Sequence, residues 1–156
     1  MIPIIMEVPT PDPRVRCFRS LPEVDCFAVV TELLPVPGHA PDQVAVWIPE
    51  LRFLLAADAL EFPFPLLGDA ADLPALLGSI ERLRALQPEV VLPCHGGQHG
   101  PELLDWNTRY FERLQARDYS FDDVLTDLGV RGVPNESFYR EMHAAHQHLL
   151  KPASDA

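Results

Sequence analysis

Three short segments place an imidazole or a carboxylate where a strand-like run gives way to small residues. They are PVPGHAPDQVAVWIP with His39, FLLAADAL with Asp58, and VVLPCHGG with His95. Imidazole plus carboxylate is a donor set that zinc, iron and manganese accept. The glycines and prolines beside these residues let the backbone turn sharply, so that each side chain can be aimed at a shared centre. Metal-ion chemistry is therefore the first expectation. The plain alternative for each residue is a loop histidine held by hydrogen bonds, or a strand-end acid serving a turn or a helix cap.

Other polar residues carry weaker signals. Glu61, Asp69 and Asp72 lie near Asp58 in sequence and could add a carboxylate, but nothing distinguishes them from cap and loop acids. His99, just past the last segment, reads as a solvated polar residue. His143 and His146 are three apart and share a helix face. With His148 they read as a solvated surface opposite an apolar stripe of Phe138, Met142, Ala145 and Leu149. Cys94 and His95 are neighbours on an extended chain and point apart, so they are not a catalytic pair. Cys17 and Cys26 read as small core residues, and Trp47 and Trp106 as core or interface aromatics.

The elements that must position these side chains fall into two halves. Arg14 to Arg19 alternates, and Val24 to Thr31 is β-branched and aromatic, so both read as strands. Leu33 to Val36 is a third short run, leading into the turn-forming Pro37-Gly38-His39-Ala40-Pro41-Asp42. Gln43 to Ile48 and Arg52 to Ala56 flank Pro49-Glu50-Leu51, a hairpin signal whose second strand delivers Asp58. From Leu73 the positions Leu76, Leu77, Ile80, Leu83 and Leu86 follow helical spacing, with Asp72 as N-cap, Pro74 in the first turn and Pro88 as a stop. Glu89 to Pro93 is a short strand, so a βαβ-like unit sends His95 to a strand's C-terminal edge. Three helices come after it: one after Pro101, one opened by a Ser120/Asp123 capping box and ended near Gly129, and one capped by Asn135. The tail after Lys151 reads as frayed.

Composition limits the function classes. The 156 residues, 47% of them hydrophobic, suffice for one domain with a core. A formal charge of −11 argues against nucleic acid, whose binding rests on Lys and Arg displacing counterions. No apolar run reaches the roughly 18 residues of a membrane span, and Met1 to Pro9 lacks the basic residue of a signal peptide. Three cysteines without framework spacing fit free thiols. These features predict a soluble cytoplasmic protein. Seventeen prolines, concentrated in the first half and around the candidate site, read as loop punctuation.

Taken in order, these motifs resemble the C-terminal half of the metallo-β-lactamase-fold hydrolases. In that family a PGH(S/T)PG loop, a strand ending in GD and a strand ending in PGHG supply metal ligands, matched here by His39, Asp58 and His95. The resemblance implies that residues 33–97 are the second half of an αββα sandwich, that 14–31 are opening strands, and that 101–150 are a helical extension. The expected class is α/β, a truncated half-sandwich with C-terminal helices. The family's His-x-His-x-Asp-His segment is absent, His39 being the first histidine of the chain. Ala57 stands where the family has Gly, and Cys94 replaces the Gly before the last His. Opening strands join the PGH-type loop directly, which points to an internal loss or a split gene near Thr31 to Leu34.

By ligand counting, neither metal position of the family keeps three protein donors. If the strand ends converge, His39, Asp58 and His95 could instead hold one zinc, iron or manganese ion weakly, with Asp58 also steadying the attacking water. The implied function is a metal-dependent hydrolase of small esters, thioesters, lactones or phosphoesters, with reduced or no activity. The alternative is a non-catalytic half-domain that acts as a scaffold, pairing with itself or another chain through its exposed sheet.

Overall fold

A computed structural model describes residues 4–8, 17–21, 30–115 and 119–150, the first two stretches as backbone only. Strands β1 (Ile4–Val8) and β2 (Cys17–Leu21) form an antiparallel pair. β1 departs from the sequence reading, which found only an apolar run broken by prolines there. Most of the expected Val24 to Thr31 strand, Cys26, and the tail after Lys151 lie outside the described residues.

The main sheet is built from β3 (Glu32–Pro35), β4 (Val44–Ile48), β5 (Phe53–Ala57) and β6 (Val90–Pro93), in that spatial order. β3, β4 and β5 are antiparallel, and β5 and β6 are parallel. The parallel pair needs a crossover, which α1 (Leu73–Ala85) supplies. The β4–β5 connection is a 3-10 turn, Pro49–Leu51, closed by Arg52 in the left-handed region (φ 46°). The class is α/β, with one four-stranded sheet and four helices among the described residues.

Alternation along each strand gives the sheet two unlike faces. Ala45, Trp47, Leu54 and Val91 are buried, and they share a core with Leu76, Ile80 and Leu83 of α1. The opposite face carries Leu33, Val44, Val46, Ile48, Phe53 and Leu55, half-buried or exposed. In an αββα sandwich that second face meets the other sheet. Here Leu33 is 48% and Val44 43% exposed.

α1 also fixes the turn that carries His39. The Ser79 hydroxyl donates to the Pro37 carbonyl at 2.6 Å, and Arg82 donates to the Pro35 carbonyl at 3.3 Å. Gly38 has φ 144°, and a Cβ there would stand 2.4 Å from the Leu76 Cα. Backbone cannot yield to such a clash. Gly38→Ala is therefore expected to cost about 2–3 kcal/mol in urea unfolding, the usual penalty of overpacking plus a disfavoured φ, and to push the His39 turn off α1.

Beyond the sheet, α2 (Glu102–Gln115), α3 (Phe121–Leu128) and α4 (Glu136–Leu149) pack around Phe64 and Tyr110, whose rings stack with centroids 4.0 Å apart. The Ser120/Asp123 capping box is present, and Gly129 closes α3 in the left-handed region. Two caps differ from expectation. Asp72 precedes α1 without a side-chain cap bond, while Asp69 accepts from the Ala71 N–H at 2.8 Å. Asn135 sits at the N-cap of α4 with φ 54° and makes no side-chain cap bond.

The face assignment of α4 is corrected. His143 is 3% exposed and His146 is fully buried, whereas Phe138 is 48% exposed and Ala145 faces out. Only His148 lies at the surface as expected. Both buried rings are completely satisfied. The Leu67 N–H donates to His146 Nε2 at 3.0 Å, which leaves the proton on Nδ1 to donate to the Tyr110 oxygen at 3.0 Å. Tyr110 O–H can then donate to His143 Nδ1 at 3.2 Å, and His143 Nε2–H donates to the Tyr119 carbonyl at 2.8 Å. A single neutral tautomer of each ring closes this chain of bonds. These histidines are structural, because a ring with one donor and one acceptor is at home in a core that matches both.

Candidate metal centre

Asp58 leaves β5 through two local devices. The β5–β6 register shifts between Leu55 and Ala57, a bulge that re-aims the chain at the end of the strand. Ala57 itself adopts φ 51°, the left-handed conformation that glycine takes without strain, which accounts for the family's Gly at this position. The turn is then held from β4's side. With its amide oxygen toward them, Gln43 accepts from the N–H groups of Asp58 at 2.6 Å and Ala59 at 3.1 Å. His95 lies just past β6, and its carbonyl accepts from the Phe62 N–H at 3.4 Å.

These turns meet at one cavity of about 530 Å³, whose lining includes His39, Asp58, Glu61 and His95. His95 Nε2 lies 3.7 Å from Asp58 Oδ1, with the imidazole 66% and the carboxylate 30% exposed. One donor atom each from Asp58, Glu61 and His95 falls within 4.8 Å of the other two. Two carboxylate oxygens and an imidazole nitrogen at that separation suit a divalent first-row cation, so the donor chemistry fits a metal. His39 lines the same cavity but stands outside this closest group. Its Nδ1 lies 3.2 Å from the Leu66 carbonyl, to which it can donate. That bond selects the tautomer with an unprotonated Nε2, the arrangement by which a ligating histidine is commonly oriented.

Glu61 is the residue that sequence reasoning left among equals. It is 5% exposed, with Tyr139 O–H donating to its Oε2 at 3.4 Å. Burial, reinforced by the neighbouring Asp58 charge, pushes its carboxyl up to about 7. Its backbone is clamped by the fully buried Asn107. The Asn107 Oδ1 accepts from the Glu61 N–H at 3.0 Å, and Nδ2 donates to the Glu61 carbonyl at 2.8 Å. No local pattern distinguishes Glu61 from Asp69 or Asp72, because the clamp comes from 46 residues away. Asp69 and Asp72 remain cap and turn acids, and neither lines the cavity.

The cavity is also lined by the apolar Phe64, Leu66, Phe138 and Met142, and by Asn135, Ser137 and Tyr139 at and after the start of α4. Phe138, expected in the core, thus borders the site instead. His99 stacks on Phe62 at a 5.0 Å centroid distance and bonds to the Gly96 carbonyl, outside the cavity. Cys94 is exposed, and partial burial and the Asp58 charge push its thiol up, so it remains protonated beside the site. Trp47 and Trp106 are buried in the core as expected.

Comparison with known proteins gives this geometry a context. A linear primary-alkylsulfatase from Pseudomonas sp. (strain ATCC 19151) is 29% identical over 85 residues, 51% of this chain and 16% of that enzyme. A metallo-beta-lactamase family protein from Thermus thermophilus superposes with a TM-score of 0.51 at 26% identity, covering 60% of this chain and 35% of its own. An archaeal metallo-beta-lactamase superfamily protein from Sulfolobus tokodaii gives a TM-score of 0.56 at 20% identity, covering 82% of this chain and 48% of that one, a likeness of fold. The chain thus spans less than half the length of each of these relatives. The family model of the metallo-beta-lactamase superfamily matches residues 3–95, more than half of the chain and both sides of the Thr31 to Leu34 junction. By that match, and by the order in which its strands deliver His39, Asp58 and His95 to one cavity, the chain belongs to the metallo-beta-lactamase superfamily.

Proposed function

We propose that the protein is a single-metal, hydrolase-like member of its superfamily, with His39, Asp58 and His95 as inherited ligands and little or no turnover. The observation that carries this reading is the approach of Asp58 and His95, from the ends of β5 and β6, to 3.7 Å in a cavity that His39 also lines. A divalent ion held there would supply Lewis acidity for attack of water on a carbonyl, phosphoryl or sulfuryl centre. The chain's own groups do the rest. Asp58 would accept a hydrogen bond from the attacking water and orient it. Leu66 holds the His39 ring through Nδ1. Phe64, Leu66, Phe138 and Met142 offer an apolar surface to the non-reacting part of a small ester. With no His-x-His-x-Asp-His segment in this sequence the site has fewer donors than the family's, so weak affinity and slow chemistry are expected. An internal loss or a split gene near Thr31 to Leu34 would account for the segment's absence.

A second reading has its own observation. The apolar sheet face bearing Leu33 and Val44 is suited to cover by another chain, which makes the protein a scaffold-like half-domain. Metal content and mass in solution separate the two. The hydrolase reading expects zinc at less than one equivalent per chain, its loss in His39→Ala, and slow esterase activity abolished by EDTA. A metal-free dimer without activity would favour the half-domain, and two tightly held ions per chain would contradict the single-metal site.

A further inference from the structure

We propose that Glu61 is itself a metal ligand, completing with Asp58 and His95 a two-carboxylate, one-imidazole set that the family's motif does not include. The inference rests on the metal-binding reading above and adds a donor to it. Glu61 comes three residues after Asp58, so the turn that aims one carboxylate also delivers the other. Their oxygens and a His95 nitrogen lie within 4.8 Å of one another.

Burial is the independent argument. A carboxyl 5% exposed keeps its charge only beside a strong partner and otherwise takes up a proton, so a bound cation would displace that proton and hold the charged form. Among the described residues, the one hydrogen bond to its side chain is the long 3.4 Å contact from Tyr139. Asp58 adds a second negative charge, and no lysine or arginine among the described residues lines the cavity. The cavity thus gathers two carboxyl groups and two imidazoles with no fixed positive charge, a donor set that a divalent cation would complement. Asn107 fixes the Glu61 backbone through both its N–H and C=O, and from that fixed point the side chain lines the cavity. Glu61 thereby gives three donors in one close group with Asp58 and His95, the number held by a typical single-ion site, without calling on the more distant His39. A second carboxylate also makes the set harder, so manganese should gain relative to zinc over a site of two histidines and one acid.

Titration of the metal-free full chain with Zn2+ and with Mn2+, by calorimetry and by Mn2+ paramagnetic resonance, tests this. Glu61→Gln keeps the shape and the Tyr139 contact while removing the donor charge. It is expected to weaken binding of both ions by about 100-fold or more, since even groups one shell out are worth roughly 10- to 100-fold. Glu61→Asp should fall between the two. Urea unfolding of the metal-free variants controls for folding, and a native-like unfolding curve with lost binding assigns the loss to the ligand. Binding by Glu61→Gln within about threefold of the unchanged chain, well short of that effect, overturns the Glu61 assignment. If Asp58→Asn and His95→Ala still abolish binding in that case, the single-metal reading survives without Glu61. No binding of either ion by the unchanged chain overturns both.

Discussion

Without metal, lowering the pH from 7 to 4 is expected to cost a Glu61→Gln protein about 3 kcal/mol of folding stability, against about 1 kcal/mol for the unchanged chain. Two buried groups titrate in opposite senses. Burial, with the nearby His143, holds the His146 imidazole down to about 4, whereas in the unfolded chain it takes up a proton near 6.5. The unfolded state binds the extra proton between those values, so the His146 contribution is complete above about pH 6.5 and is lost as the pH falls toward 4. That loss is the roughly 3 kcal/mol expected of such a difference. His143 is held down by burial as well and acts in the same sense. Glu61 is raised to about 7 from 4.5, so here the folded state binds the extra proton. Its contribution grows as the pH falls from about 7 to 4.5, by about 2 kcal/mol after allowance for screening by water in the cavity. A glutamine in place of Glu61 cannot titrate, and the variant shows the histidine loss alone. Urea unfolding in EDTA at closely spaced pH values makes the comparison. Parallel curves for the two proteins would remove the assignment of Glu61 as a buried acid.

Asn107→Leu carries the second large effect, an expected loss of about 3 kcal/mol in urea at neutral pH. Leucine matches the volume but leaves the buried N–H and C=O of Glu61 without their partners at 3.0 and 2.8 Å. Each orphaned group costs about 1–3 kcal/mol, and the added apolar contact recovers only part of that. The same substitution frees the Glu61 backbone, so metal affinity should drop along with stability. A loss below about 1 kcal/mol would mean that water or a shifted turn satisfies those groups and that Asn107 is not the clamp.

How much of the fold and site was legible in the chain itself depends on the range of the interactions involved. The β4–β5 hairpin, the α1 crossover, the Ser120 capping box and the turns before His39, Asp58 and His95 arise from local preferences. Proline and glycine set the turns, apolar spacing sets strand and helix, and serine caps. The family motif supplied the order of the candidate ligands for the same reason, since each lies in its own short segment. Where a local signal was weak the reading missed, as with β1 among its prolines and the cap bond that falls to Asp69 rather than Asp72.

From its sequence alone, the protein is an α/β chain with three chemically suited side chains at three turns, and with a family's characteristic donors missing. Only the tertiary structure decided which of three neighbouring acids joins them, because Asn107, Tyr139 and α4 reach Glu61 from distant parts of the chain. It also decided which face of α4 is the core. Helical periodicity treats histidine as polar, yet the hydrogen-bonding groups of Leu67, Tyr110 and Tyr119 await His143 and His146 inside. Local patterns set where the backbone turns. The surroundings a side chain meets after the turn depend on residues far along the chain, and no nearby spacing encodes them.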